Sequence, residues 1–303
     1  MRLRLILILL QLAWFAPAQA ASALLDETPR IAVMSAFAPE LTALAAATTD
    51  KQTYDSGPAV FTTGVLEGKR VVLFLSGMSM VNAALNTQAA LDRFKVTAIV
   101  FSGIAGGVDP ALDVGDVVVA DRWSQYLESI FARETAPTVF TPPQTEAPPP
   151  VANYWMIFPR GVLLEPRPGQ TERKLWFDAD PALLAAARTA AGSVTLKRCI
   201  AELCLVKAPR VVVGGAGVSG QTFMDNAEFR KYAHETFKAQ VLDMESAAVA
   251  QVAYLNGKTP FIAFRSLSDL AGGDPGANQA RTFFQIASDN SAAVVRAFLR
   301  ALP

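Results

Sequence analysis

Short apolar runs rich in valine and isoleucine recur along the chain and alternate with longer stretches of helical spacing. The runs at 30–34, 70–75, 98–101, 116–120, 210–213 and 261–264 predict strands. Residues 39–47, 80–94, 181–191, 226–237, 246–255 and 282–301 carry the apolar period of helices facing a core. Strands alternating with helices predict an α/β sandwich around a largely parallel central sheet. No internal repeat is visible.

The alternation stops between about 125 and 170. This stretch holds Pro142, Pro143, Pro148, Pro149 and Pro150 and mixes aromatic residues without a clear period. It reads as a surface excursion with polyproline character, and a lid on the substrate side is the functional alternative. Strand signals resume after it, so no domain boundary is expected there.

The first twenty residues stand apart. Arg2 and Arg4 precede an apolar stretch at 5–15, and Ala18-Gln19-Ala20 has the small-residue pattern of a cleavage site. A signal peptide cut after Ala20, and hence a periplasmic or secreted protein, is the expectation; an uncleaved anchor is the alternative. Residues 21–303 then form the folded domain, with no membrane association after cleavage. Lys plus Arg number 27, as do Asp plus Glu, so the net charge is zero and no basic footprint for nucleic acid exists. At 51% hydrophobic residues the chain can bury a large core.

Histidine and cysteine counts narrow the chemistry further. His234, the sole histidine, falls in a polar helical run and reads as a surface residue. A multi-histidine metal site is therefore out of reach, and a Ser-His-Asp triad would have to use that one residue. Cys199 and Cys204 have the spacing of a local disulfide in an exported protein.

Carboxylates at strand ends are the stronger signal. Val241-Leu242-Asp243-Met244-Glu245-Ser246 and Phe264-Arg265-Ser266-Leu267-Ser268-Asp269 are apolar runs ending in acids. Ligands of open α/β sheets bind at the carboxyl ends of strands. Taken singly, Glu245 also reads as a first-turn helix acid and Asp269 as a cap. A third acid, Glu40, follows the first strand, with Pro39 in the first helical turn. Ser76-Gly77-Met78-Ser79 is a small-residue turn whose backbone N–H groups can cradle an anion or a polarised oxygen. Ser102-Gly103-Ile104-Ala105-Gly106-Gly107 allows positive φ and close approach to a flat ligand, or is an ordinary tight turn. Phe223, in Gly220-Gln221-Thr222-Phe223-Met224, is packing or a stacking surface.

Together these motifs resemble the nucleoside phosphorylase and nucleosidase superfamily, over residues 31–274 apart from the proline-rich excursion. Its 5′-methylthioadenosine/S-adenosylhomocysteine nucleosidases are the nearest functional match. The resemblance implies a single-domain nucleoside phosphorylase-like α/β sandwich with a mixed, largely parallel sheet flanked by helices. It further implies that Glu40 activates water, that Ser76 and Met78 line the site beside the ribose, and that Ala105 and Gly106 border the purine. Phe223 would stack on the base and the Met224 backbone read its edge. Met244 would pack on the sugar, Glu245 hold the ribose hydroxyls, Ser268 address the purine and Asp269 protonate its N7. One departure is local: the family's nucleosidases often have an acidic cluster before the glutamate, where this chain has Phe37, Ala38 and Pro39.

The leading expectation is hydrolysis of the N-glycosidic bond of adenosines of the 5′-methylthioadenosine/S-adenosylhomocysteine type, releasing adenine without metal or organic cofactor. Relatives imply a homodimer acting on a small-molecule purine nucleoside. A phosphate-dependent phosphorylase is the first alternative; residues 34–44 hold no arginine for phosphate, leaving Arg265 to serve. Ser76-Gly-Met-Ser-Met-Val-Asn-Ala and Ser268-Asp-Leu-Ala-Gly-Gly also resemble the secreted branch that includes plant bark storage proteins. A non-catalytic nucleoside-binding or storage protein is therefore the second alternative.

Overall fold

The structure, a computed structural model, describes residues 23–57, 59–144 and 148–303. The expected signal peptide lies outside the described residues. Twelve strands form one mixed sheet. In chain order they are β1 (Asp26–Ser35), β2 (Thr49–Ser56), β3 (Ala59–Leu66), β4 (Lys69–Leu75), β5 (Phe94–Gly107), β6 (Val117–Val119), β7 (Arg122–Gln125), β8 (Phe177–Asp178), β9 (Val211–Val213), β10 (Ala216–Ser219), β11 (Ala239–Asp243) and β12 (Phe261–Asp269). The helices are α1 (Ala38–Ala47), α2 (Met80–Arg93), α3 (Pro181–Ala191), α4 (Ala227–Phe237), α5 (Ser246–Leu255) and α6 (Ala280–Ala301).

Spatially the main path runs β8-β7-β10-β11-β5-β1-β4-β3-β2, while β12 pairs with β5 and β6, and β9 with β6. The centre is parallel, β1 lying between β4 and β5 and β12 joining β5. The β2–β3–β4 edge and the β11–β5 contact are antiparallel.

The central strands divide their side chains between two cores, as a period of two requires. Met34, Val72, Phe74, Ile99 and Phe101 meet α2 and α5 on one face. Val33, Leu73, Val100 and Phe264 meet α1, α3 and α6 on the other. All nine residues of β12 are buried, which fits the unbroken apolar run Phe261–Phe264 that begins it. Each predicted helix is present to within two residues at its ends.

Several strands lack a sequence signal. The edge strand β2, Thr-Asp-Lys-Gln-Thr-Tyr-Asp-Ser, carries no apolar face and is held by its ladder to β3. The proline-rich stretch is not polyproline throughout. Ser129–Phe131 pairs with Ile157–Pro159, Arg133–Ala136 with Val139–Thr141, and Val162–Arg167 with Gln170–Lys174. Buried Ala132, Phe158 and Leu164 anchor these ladders, and Tyr154 packs on Phe229 and Tyr232 of α4.

The glycine-rich stretch at 102–107 is a second correction. It is neither a turn nor a place of positive φ; it continues β5 as strand. Its glycines serve close approach, as the site makes plain. His234 is half-buried rather than on the surface, its Nδ1 2.8 Å from the Ala239 carbonyl oxygen. Cys199 and Cys204 are joined in a disulfide across a two-stranded hairpin. No helix among the described residues is long and apolar enough to cross a membrane.

Candidate active site

Strands β1, β5, β11 and β12 end around one cavity of about 210 Å³. Four carboxylates line it: Glu40 beyond β1, Asp243 and Glu245 at the end of β11, and Asp269 at the end of β12. Glu40 sits in the first turn of α1, just past β1, and is 2% exposed. Its Oε2 accepts the N–H groups of Ala36 at 2.7 Å and Phe37 at 3.4 Å, and its Oε1 that of Ile104 at 2.7 Å. The Ala36 and Phe37 donors are left free by the strand-to-helix turn and the Ile104 donor comes from β5, so the chain's own geometry binds the carboxylate. Burial pushes the Glu40 carboxyl up, against the Arg265 guanidinium and the three N–H donors.

Glu245 is the N-cap residue of α5 and is 5% exposed. Its Oε1 accepts the Ser79 N–H at 2.8 Å. Ser79 holds φ +75°, a region that costs a non-glycine residue energy, and this conformation precedes α2 directly. The small-residue turn thus does cradle an anion, and the anion is the protein's own glutamate. Burial raises the Glu245 carboxyl to about 7; Arg265 opposes the shift and the charges of Asp243 and Glu40 reinforce it.

Asp269 closes β12. Oδ1 accepts the Ala271 N–H at 2.9 Å, and Oδ2 accepts the Ser268 hydroxyl at 2.8 Å. Burial raises its carboxyl as well, opposed by these donors. Gly106 keeps the approach open, since a Cβ there would lie 3.2 Å from Asp269 Oδ1 and 3.0 Å from the Ala271 Cβ.

Arg265 forms the floor behind Glu40 and Glu245. It is fully buried, with Nε 2.7 Å from Asp243 Oδ2 and Nη2 3.5 Å from Glu245 Oε2. Its guanidinium lies 3.9 Å from the centre of the Phe101 ring. Asp243 also accepts the hydroxyls of Ser219 and Ser246, both at 2.5 Å. A Cβ on Gly103 would come within 2.0 Å of Arg265 Nη1, so only glycine fits between the arginine and Glu40. Among the described residues no three His, Cys, Asp or Glu side chains are arranged to hold a metal ion.

A family model described as the phosphorylase superfamily matches residues 30–300. The chain belongs to this superfamily. The 5′-methylthioadenosine/S-adenosylhomocysteine nucleosidase of Mycobacterium tuberculosis is 30% identical over 278 residues, covering 90% of this chain and 96% of its own. The crystal structure of such a nucleosidase from Colwellia psychrerythraea, in complex with adenine, superimposes with a TM-score of 0.67 at 27% identity, covering 91% of this chain and 96% of that one. The Neisseria meningitidis enzyme in complex with methylthio-immucillin-A gives 0.65 at 25% identity, covering 90% and 99%.

In this member of the superfamily, ten of the residues singled out from sequence line the cavity together: Glu40, Met78, Ala105, Gly106, Phe223, Met224, Met244, Glu245, Ser268 and Asp269. Two do not. Ser76 is buried behind the wall, its hydroxyl donating to the Gly77 carbonyl at 2.8 Å and its carbonyl accepting from Asn86. Arg265 is likewise behind it, held by Asp243 and Ser246. Sequence reasoning missed Ala36, Phe37, Ile104, Thr222, Leu242, Asp243 and Ala280 as lining residues. Asp243 was within reach, two residues before Glu245 in the same strand end. Ala280, in the first turn of α6, carries no chemical signal at all.

Proposed function

We propose that the protein hydrolyses the N-glycosidic bond of purine nucleosides of the 5′-methylthioadenosine/S-adenosylhomocysteine type and releases adenine. The observation that carries this reading is the convergence of three buried carboxylates, Glu40, Glu245 and Asp269, on one cavity. Cleaving the bond leaves an oxocarbenium-like sugar and an anionic purine, unless a proton reaches the base as it departs. Asp269, raised by burial, is the group assigned to protonate N7. Glu40 takes the proton of the attacking water; its raised carboxyl is a stronger base than a solvated one, and the N–H donors and Arg265 keep the ionised form accessible. Glu245 accepts the ribose hydroxyls, Met244 and Met78 cover the sugar, and Ala105, Gly106 and Ser268 border the base. Phe223 stacks on the purine and the Met224 backbone reads its edge.

These roles give the pH dependence its sign. Glu40 must be ionised, so activity falls as pH drops through its value; Asp269 must be protonated, so activity falls as pH rises through its value. The limbs are macroscopic, because Glu40 and Glu245 interact.

Phosphorolysis is less favoured. Arg265, the cation that the sequence left for phosphate, is committed to Asp243 and Glu245 and does not line the cavity. The reading includes export, on the leader pattern at 1–20. It also includes a homodimer. Met78 in the turn before α2, and Val81 and Leu85 on that helix, are 62%, 67% and 52% exposed, an apolar strip beside the cavity that suits an interface.

Product analysis of the purified protein with methylthioadenosine, adenosine and inosine, with and without phosphate, tests the proposal. Adenine plus free sugar without phosphate is the expected result. A sugar 1-phosphate formed only with phosphate would make the protein a phosphorylase, and binding without any product would make it a storage protein. Light scattering of the same sample reads the dimer.

A further inference from the structure

The loop that follows Asp269 and the loop that carries Phe223 are built against each other. Gly272 holds φ +92° with its backbone pressed on Asn226; a Cβ there would lie 2.4 Å from the Asn226 nitrogen. The Asn226 N–H donates to the Ala271 carbonyl at 3.2 Å. Arg230, on α4, donates from Nε to the Gly107 carbonyl at 3.0 Å and lies flat against Gly273. These contacts set the two loops side by side, and one side chain joins them at the carboxylate itself. Asn278 Nδ2 donates to Asp269 Oδ1 at 3.4 Å and to Asp225 Oδ1 at 3.2 Å. Its own Oδ1 accepts the N–H of Ala280, which lines the cavity.

We infer that Asn278 is a positioning residue, whose amide fixes the orientation of Asp269 and ties it to the loop bearing Phe223. The inference rests on the proposed nucleosidase reading and deepens it. With the Ala271 N–H and the Asn278 amide both on Oδ1, that oxygen is the permanent acceptor of the carboxyl group. The acidic proton then resides on Oδ2. There the Ser268 hydroxyl can receive the O–H and turn its own hydrogen to the Ala105 carbonyl, 3.4 Å away. Asn278 therefore selects which oxygen delivers the proton. Through Asp225 it also makes the stacking loop and the acid one unit.

The charges facing Asp269 come from several elements. Asp274 lies on its own loop, Asp225 on the facing loop and Arg230 on α4, while Glu40 and Glu245 stand across the cavity. An amide donor favours the ionised form of Asp269. Its removal therefore moves the alkaline limb of the pH profile to higher pH while misorienting the acid.

The test is steady-state kinetics over pH on wild type, Asn278→Ala, Asn278→Asp and Asp225→Ala, with methylthioadenosine as substrate. In Asn278→Ala, kcat is expected to fall roughly ten- to a hundred-fold, the scale of a small misplacement of a reacting group. KM should change little and the alkaline limb should shift upward. Asn278→Asp, which sets a third carboxylate between Asp225 and Asp269, should shift the limb further. Asp225→Ala lies on the exposed side of the bridge and reads the same coupling should the Asn278 variants fold poorly. Its loss should not add to that of Asn278→Ala. Wild-type kcat and an unmoved pH profile in Asn278→Ala, or in Asp225→Ala where only that variant folds, would overturn the inference. An inactive wild type would instead overturn the nucleosidase reading.

Discussion

The cavity has two kinds of wall. One is made of strand ends: Glu40 and Glu245 are 2% and 5% exposed, and Arg265 behind them is fully buried. Each of these groups is held by partners in the sheet or in the tight connections from strand to helix. The other wall is made of loops: Thr222 is exposed, and Phe223 and Met78 are 60% and 62% exposed. Charges that must keep one geometry while solvent is excluded sit where the fold is rigid. Apolar surface that must admit and release a ligand sits where the backbone has few ties. Asp269 belongs to both, since its strand is rigid and its loop is shared with Phe223.

Substituting the strand-end carboxylates tests the contrast most severely. Glu40→Gln and Asp269→Asn should each lower kcat by about 10²–10⁴-fold, the range of general acid–base catalysis. Thermal melting should show both proteins folded. Next in size is Arg265→Met, which leaves Asp243 buried without its cation. Breaking a buried pair in this way costs about 3–5 kcal/mol, measurable by urea unfolding. Phe223→Ala probes the other wall. Losing the stacking contact costs about 1 kcal/mol, close to a five-fold rise in KM, with the melting temperature unchanged because the ring is mostly exposed. A large loss of stability in Phe223→Ala would erase the distinction between the walls.

The smallest effect concerns pH and stability. The Asp269 carboxyl is raised from an ordinary value of 3.8, so ionising it costs the folded state. Relative to Asp269→Asn, wild type should lose stability as pH rises from near 4 through the folded value, then run parallel above it. Melting curves of the two proteins over pH would reveal this, and a wild type that gains stability relative to Asp269→Asn as pH rises would contradict it.

The same contrast governs what the sequence disclosed. The six predicted strands and six helices are present because buried strands and amphipathic helices leave periodic apolar patterns. The carboxylates were legible as charges at the ends of such runs. Strand β2 was not, since its residues are held by ladder hydrogen bonds that any side chain permits. For the glycines at 103, 106 and 107 the sequence leaves close approach and a tight turn both open, because composition cannot tell a strand that needs close neighbours from one that bends; the structure shows close approach within a strand. Ser76 and Arg265 were placed in the cavity and lie behind it. The pattern gives the end of a strand but not which side of a single wall a side chain occupies. Asn278 was missed altogether, since a polar residue in a glycine-rich loop carries no periodic signal.

The central claim is that Asp269 and Glu40 divide the acid and base roles. A substrate that needs no acid tests it directly: the 5-methylthioriboside of p-nitrophenol, whose leaving group departs as a stable anion. Turnover of this compound and of methylthioadenosine should be compared in wild type, Asp269→Asn and Glu40→Gln. The account predicts that Asp269→Asn recovers most of its activity on the nitrophenyl compound, while Glu40→Gln remains inactive on both. Equal losses in Asp269→Asn on the two substrates, or recovery in Glu40→Gln, would contradict the division of roles.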